Sequence, residues 1–285
     1  MATATLSENV AGKYAALKTS VRDLGRVIVA FSGGVDSSLV AYVAAEALGG
    51  DALAVTSGSQ SLKRSDLKLA GELAEKWGMR HRVIVTDEVS KPEYRANPVN
   101  RCFYCKTTLY DALARIAGDE GYDHVLNGTN TDDLGDHRPG LIAANDFHVV
   151  SPLVDAGFDK ADIRALAAHL GLDNAAKPQS ACLSSRFPYG SHITEQRLAQ
   201  VEAAEDALAE LGFTQYRVRH HEDVARIELV AGELPRALDL REEIEAAVKA
   251  TGYRFVAVDL GGFRSGSLNE GLIDVVQVFD GGSGP

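Results

Sequence analysis

Residues 26–38 read Arg26-Val27-Ile28-Val29-Ala30-Phe31-Ser32-Gly33-Gly34-Val35-Asp36-Ser37-Ser38. The first half is a continuous apolar run of strand length, the middle a Gly-rich turn, and from 37 to 48 the pattern turns helical. Outward from it the alternation repeats. Short strands are predicted at 52–56, 82–85, 124–126 and 147–150, and helices at 62–77, 107–117 and 160–170. An amphipathic helix over 6–24, with Val10, Tyr14, Leu17, Val21 and Leu24 spaced three or four apart, opens the chain. Such alternation implies an α/β domain with a mostly parallel sheet covered on both faces. Ligands of these sheets sit at the carboxyl ends of the strands, where the polar, Gly-containing segments fall.

The pattern changes after Pro178. A helix over 195–211, paired strands at 216–220 and 225–230, a helix over 234–249 and a last core strand at 255–260 suggest a small α+β domain. The expected division is 1–177 and 186–285, with the boundary in 174–187, a segment containing Cys182. The tail 281–285 reads as disordered.

With 285 residues the chain can bury a core without staples. A net charge of −11, from 40 acids against 29 bases, argues against a long nucleic acid as partner. No secretion signal is visible at the start, and no apolar run approaches the roughly 20 residues that span a bilayer, so no membrane association and a cytoplasmic location are expected. Three cysteines, an odd number, do not form a disulfide framework.

The segment 32–38 carries the first chemistry. Glycines let backbone approach an anion closely, and free amides at a helix start favour phosphate. No Gly-Lys-Ser/Thr ending follows, so this is not the loop that transfers a terminal phosphoryl group. A tight strand–helix turn capped by Ser37 is the plain alternative. A second polar loop, 127–133, follows the strand at 124–126 and should reach the same sheet edge. Asp132, Asp133 or Asp136 there could complete a Mg²⁺ site, because Mg²⁺ takes carboxylates together with substrate phosphates.

Cys102 and Cys105 are spaced i, i+3 near a helix start, beside Lys106, so both sulfurs can face one way. Cys182 lies far off in sequence. A zinc site would need a fourth ligand from His81, His124 or His137. A redox dithiol, inert buried thiols and an iron–sulfur cluster on three thiolates are the other readings. Arg217 and Arg219 share one face of a strand, and guanidinium forks suit phosphates and carboxylates.

Ser-Gly-Gly-x-Asp-Ser resembles the PP-loop of ATP pyrophosphatases, which split ATP between the α- and β-phosphates. That resemblance implies that Ser32, Gly33, Gly34, Ser37 and Ser38 hold pyrophosphate and Asp36 positions Mg²⁺, with Ser57, Asn127 and Thr129 as further ATP contacts and Asp132 as a second Mg²⁺ ligand. Segments 32–38, 100–106, 127–139, 178–189, 217–220 and 259–270 together resemble the LarE family, sulfur transferases of nickel-pincer nucleotide biosynthesis, over nearly the whole chain. The family implies adenylation of pyridinium-3,5-biscarboxylic acid mononucleotide and replacement of AMP by sulfur, on each carboxylate in turn. It also implies a sulfide or other sulfur donor and a homo-oligomer.

In one-cysteine members the residue matching Cys182 gives up its own sulfur. Cys102 and Cys105 depart from that pattern and look like the three-cysteine form, in which a [4Fe-4S] cluster on Cys102, Cys105 and Cys182 carries sulfide. The resemblance singles out Arg186, Arg217, Arg219, Glu228 and Arg264 as substrate contacts, with Cys182, Asp36 and Lys106 as catalytic residues. A tRNA-thiolating enzyme, an amide-forming synthetase and a non-catalytic nucleotide sensor are the rival readings.

Overall fold

The computed structural model describes residues 6–135, 139–178 and 180–264. The expectations for 281–285 and for Asp136 and His137 lie outside them. The chain divides into two compact units, Met1–Tyr94 with Pro98–Ser180, and Arg95–Asn97 with Ala181–Pro285.

In the first unit α1 (Glu8–Asp23), β1 (Val27–Ala30), α2 (Val35–Leu48), β2 (Ala52–Ser57), α3 (Arg64–Lys76) and β3 (His81–Ile84) follow in order. Then come α4 (Pro92–Arg95), α5 (Arg101–Glu120), β4 (His124–Leu126), α6 (Pro139–Asp146), α7 (Pro152–Asp155) and α8 (Lys160–His169). The four strands form a parallel sheet in the order β3-β2-β1-β4. Side chains alternate along a strand, and the core follows that alternation. Val27 and Val29 join the buried cluster that includes Leu17, Leu39 and Leu166, while Ile28 joins Leu53, Tyr110 and Leu113 in the other. Both faces of the sheet are therefore covered, which is why β1 reads as continuously apolar.

The strand expected at 147–150 is reduced to a single parallel bridge between Val150 and Leu126. His148 adopts a positive φ of 51°, which interrupts the extended run before pairing can spread. The helix expected at 107–117 begins earlier, at Arg101, and ends where Gly121 takes the left-handed conformation.

The second unit contains α9 (Glu195–Glu210), β5 (Tyr216–His221), β6 (Val224–Leu229), α10 (Leu234–Asp239), α11 (Arg241–Lys249) and β7 (Phe255–Val258). β5 and β6 form an antiparallel hairpin, and β7 pairs parallel with β6. Val218, Ile227 and Leu229 point into a core with Leu208, Ile244 and Val248. The single helix expected over 234–249 is two, because Leu240 leaves helical geometry at φ −95°, ψ 20°. Among the described residues β7 stands at the edge of this sheet rather than in its core, and Phe255 is 56% exposed. Arg95–Asn97 joins this unit through hydrogen bonds from Asn97 Nδ2 to Pro188 O at 2.7 Å and from Ile193 N to Arg95 O at 2.9 Å.

Candidate active site

β1 delivers the Gly-rich turn at 32–38, the expected phosphate loop. Gly33 takes φ +71°, a conformation that a β-carbon makes costly, and Gly34 is the N-cap of α2 with no side-chain cap. The first turn of α2 thus leaves its amides for an anion. Ser37 Oγ accepts from Ser32 N at 3.2 Å and donates to Gly34 O at 3.1 Å, which closes the loop on itself. Asn174 pins it from outside, with Nδ2 donating to Gly33 O at 2.9 Å and to Ser38 Oγ at 2.7 Å. Sequence reading missed Asn174, because its partners are more than 130 positions away.

The second polar loop does reach the phosphate loop. A β-carbon on Gly128 would lie 2.6 Å from Ser37 N, so the two backbones touch only because residue 128 has no side chain. Asn127 is buried, its Oδ1 accepting from Thr129 N and Ser151 Oγ, both at 3.0 Å. In the free chain it shapes the loop that presents Thr129.

Asp36 is paired with a residue sequence reading treated only as a helix start. Lys160 Nζ donates to both Asp36 oxygens, at 2.6 and 2.5 Å, while its backbone N–H donates to Asp132 Oδ2 at 3.0 Å. A lysine in the first turn of a helix opposes the helix dipole, and that misfit was the one available signal for Lys160. The donor chemistry fits Mg²⁺: hard carboxylate oxygens stand beside a phosphate loop, and an ammonium already occupies the place of a cation. Asp36, with Asp132 on the same lysine, would hold the ion, whose chemistry is to neutralise charge on the phosphates.

Ser57 ends β2 and lies 2.6 Å from Thr86 Oγ1. Cys102 is exposed on the first turn of α5 and Cys105 half-buried on the second, with Lys106 Nζ 5.8 Å from the ring centre of Tyr110. Of the proposed zinc ligands, His81 is engaged by Thr56 Oγ1 at 2.8 Å, and burial lowers its pKa. Among the described residues no three Cys, His, Asp or Glu side chains gather into a metal-binding group.

In the second unit Cys182 is half-buried and precedes a 3-10 turn, Leu183–Arg186. Its carbonyl accepts from Ser185 Oγ at 2.8 Å and Arg186 Nη1 at 3.3 Å. Arg186 is 3% exposed and also pairs with Glu205 through Nε at 2.8 Å and Nη2 at 3.2 Å. Its contacts hold the backbone of the Cys182 turn rather than the thiol, a placement more structural than the substrate contact expected for it.

Arg217, Arg219, Arg226 and Glu228 share one face of the hairpin. Glu228 is fully buried and accepts from Arg219 Nε and Nη2, both at 2.9 Å, with Arg226 Nη2 at 3.4 Å. Arg217 stacks 4.3 Å from the ring centre of Phe263 and donates to the carbonyl of Arg264. Burial lowers the pKa of Arg217, the charges of Arg186 and Arg219 lower it further, and Glu228 and Glu205 oppose that shift. Arg226 was missed from the sequence.

An asparagine synthase family model matches residues 14–101. The chain is 41% identical over 264 residues to pyridinium-3,5-bisthiocarboxylic acid mononucleotide synthase of Lactiplantibacillus plantarum, covering 92% of this chain and 96% of the relative. An uncharacterized protein of Synechocystis sp. is 42% identical over 88% of this chain and 94% of its own. An uncharacterized protein of Methanocaldococcus jannaschii is 30% identical over 84% of this chain and 91% of its own.

Proposed function

The chain belongs to the LarE family, and from that premise we propose that it is an ATP-dependent sulfur transferase acting on pyridinium-3,5-biscarboxylic acid mononucleotide. The observation that carries this reading is the phosphate loop, a left-handed Gly33 followed by an uncapped helix start with Asp36 and Lys160 beside it. ATP held there exposes its α-phosphorus to a substrate carboxylate. The carboxylate oxygen forms the new P–O bond, pyrophosphate leaves, and the acyl carbon loses the negative charge that repelled nucleophiles. A sulfur nucleophile then forms a C–S bond and AMP departs with the C–O electrons. Lys160 must leave Asp36 before Mg²⁺ can bind there, and its ammonium is then free for phosphate oxygen. Arg217, Arg219 and Arg264 are assigned to the anionic groups of the substrate.

For the sulfur source we assign the thiols of Cys102, Cys105 and Cys182 as ligands of a sulfide-carrying [4Fe-4S] cluster. A second reading rests on Cys182 itself, a half-buried thiol at the position matching the cysteine of one-cysteine members. In that reading Cys182 attacks the acyl adenylate and displaces AMP, and a base then takes its Cα proton as the Cβ–Sγ bond breaks, leaving the sulfur on the product as thiocarboxylate and dehydroalanine in the chain.

The test is incubation with Mg²⁺, ATP and the biscarboxylate mononucleotide. AMP, pyrophosphate and a product carrying sulfur in place of oxygen are expected, whereas ADP would overturn the assignment. Iron and sulfide analysis after anaerobic purification separates the two sulfur sources. Iron lost in each of Cys102→Ala, Cys105→Ala and Cys182→Ala supports the cluster; an iron-free chain that turns over once and ends as dehydroalanine supports the sacrifice.

A further inference from the structure

Five oxygen-bearing side chains are hydrogen-bonded in series where β2 ends. Glu88, 2% exposed, accepts from Thr86 Oγ1 at 2.7 Å and from Ser61 Oγ at 3.1 Å. Thr86 Oγ1 lies 2.6 Å from Ser57 Oγ, and Ser61 Oγ lies 2.7 Å from Ser59 Oγ. Thr86, Ser59 and Ser61 are themselves buried. Keeping a carboxylate in such a place costs free energy, and no step proposed above uses it.

The chemistry of the groups fixes the direction of every bond. A carboxylate only accepts, and a hydroxyl has one proton to give. Thr86 gives its proton to Glu88, so the bond between Ser57 and Thr86 must be donated by Ser57. By the same argument Ser59 donates to Ser61. Ser57, its proton committed, can offer only lone pairs to anything beyond it.

Ser57 is the last residue of β2 and only half-buried. The register that pairs Ala30 with Val55 brings it level with Ser32, where the phosphate loop begins. On the other side of β1 lies β4, and the turn after it carries Asp132, whose partner Lys160 reaches Asp36. A nucleoside triphosphate suits such an edge with its phosphates toward the charges and its uncharged base toward β2.

The geometry points to Ser57 as the reader of the base: an acceptor preset by Glu88 through Thr86, which takes the exocyclic amino group of adenine and rejects a carbonyl at the same position. The amino group is a donor and the carbonyl of guanine an acceptor, so a locked acceptor discriminates where a freely turning hydroxyl would not. Glu88 and Thr86 are positioning residues here, and Ser57 alone touches the ligand. The assignment rests on the nucleotide reading of the 32–38 loop.

ITP carries a carbonyl in place of the amino group of ATP, together with a proton on ring N1, and the two nucleotides are titrated calorimetrically with Mg²⁺ into the wild-type chain and Thr86→Val. The wild type is expected to favour ATP by at least about tenfold, one hydrogen bond's worth of discrimination. In Thr86→Val the Ser57 hydroxyl is released to donate, and the ratio is expected to fall to within about threefold, chiefly because ITP gains. Should Thr86→Val not fold, Ser57→Ala is expected to narrow the ratio from the other side, by weakening ATP. A wild type indifferent to the base, or a variant that weakens both nucleotides equally and keeps the ratio, overturns the proposal. A wild type that binds neither nucleotide overturns the reading of the phosphate loop itself, and this inference with it.

Discussion

At Gly128 one hydrogen atom decides whether two loops can meet. A β-carbon there would stand 2.6 Å from Ser37 N and 2.9 Å from Asp36 C, both of them backbone atoms that cannot swing aside. Gly128→Ala is therefore expected to destabilise the first unit by about 2 kcal/mol and to weaken ATP binding at least about tenfold. Gly71 in α3 is the matched control, since its β-carbon would meet nothing within 4 Å. Gly71→Ala should stabilise by about 0.5–1 kcal/mol with ATP affinity unchanged. Urea unfolding and calorimetry read both, and equal ATP affinities in the two variants would remove Gly128 from the site. The sequence displayed Gly128 inside a polar loop but not the neighbour that requires it. Asn174 and Lys160 escaped for the same reason. Ser32–Ser38 was legible because its strand, glycines, acid and serines are contiguous, whereas a residue serving that loop from 120 or more positions away leaves at most a faint local trace, such as the lysine at the start of α8.

At the scale of elements, the β5–β6 hairpin sets a core face of Val218, Ile227 and Leu229 against a face of arginines around buried Glu228. Arg219→Met would leave that carboxylate short of its bidentate partner and should cost about 3–5 kcal/mol, whereas the double variant Arg219→Met with Glu228→Met should recover much of the loss. A double variant as unstable as the single one in urea unfolding would mean that the guanidinium's packing, not its charge, holds the hairpin. His220 ends the core face, 4.9 Å from the ring of Phe187, and burial, aided by the charge of Arg197, lowers its pKa to about 4. An unfolded imidazole takes its proton near pH 6.5. Stability from this group is thus complete above about pH 6.5, declines as the pH falls toward 4 and levels off below, a change of roughly 3 kcal/mol. His220→Gln should flatten that part of the stability–pH curve; an unchanged slope would assign it to other groups. Periodicity located these elements well where one face is buried. It erred where the cause is not periodic, at His148 with its positive φ, at the break on Leu240, and at β7, whose apolar letters do not reveal that Phe255 stays largely exposed.

For the molecule as a whole, charge settles what kind of anion the arginine face can serve. The chain carries 40 acids against 29 bases. In the second unit Arg186, Arg219 and Arg226 are answered by Glu205, Glu228 and Asp259, and Arg217 stands on the same hairpin face as Arg219 and Arg226. What remains is a small positive surplus on a closely built surface, enough for a phosphate or a carboxylate and far too little to follow a polynucleotide backbone. A protein that neutralises six or more phosphates loses affinity by several orders of magnitude over a modest rise in salt. This chain should instead show a slope near −1 to −2 in log affinity against log salt for its mononucleotide substrate, the signature of one or two phosphate charges. Transfer RNA added at about 50 mM salt should neither form a retarded complex nor change substrate-dependent pyrophosphate release. Retardation at low salt that vanishes steeply as salt rises would reveal a basic track that the net charge conceals and would return the tRNA-thiolating reading to first place, because the same adenylating loop serves either sulfur acceptor.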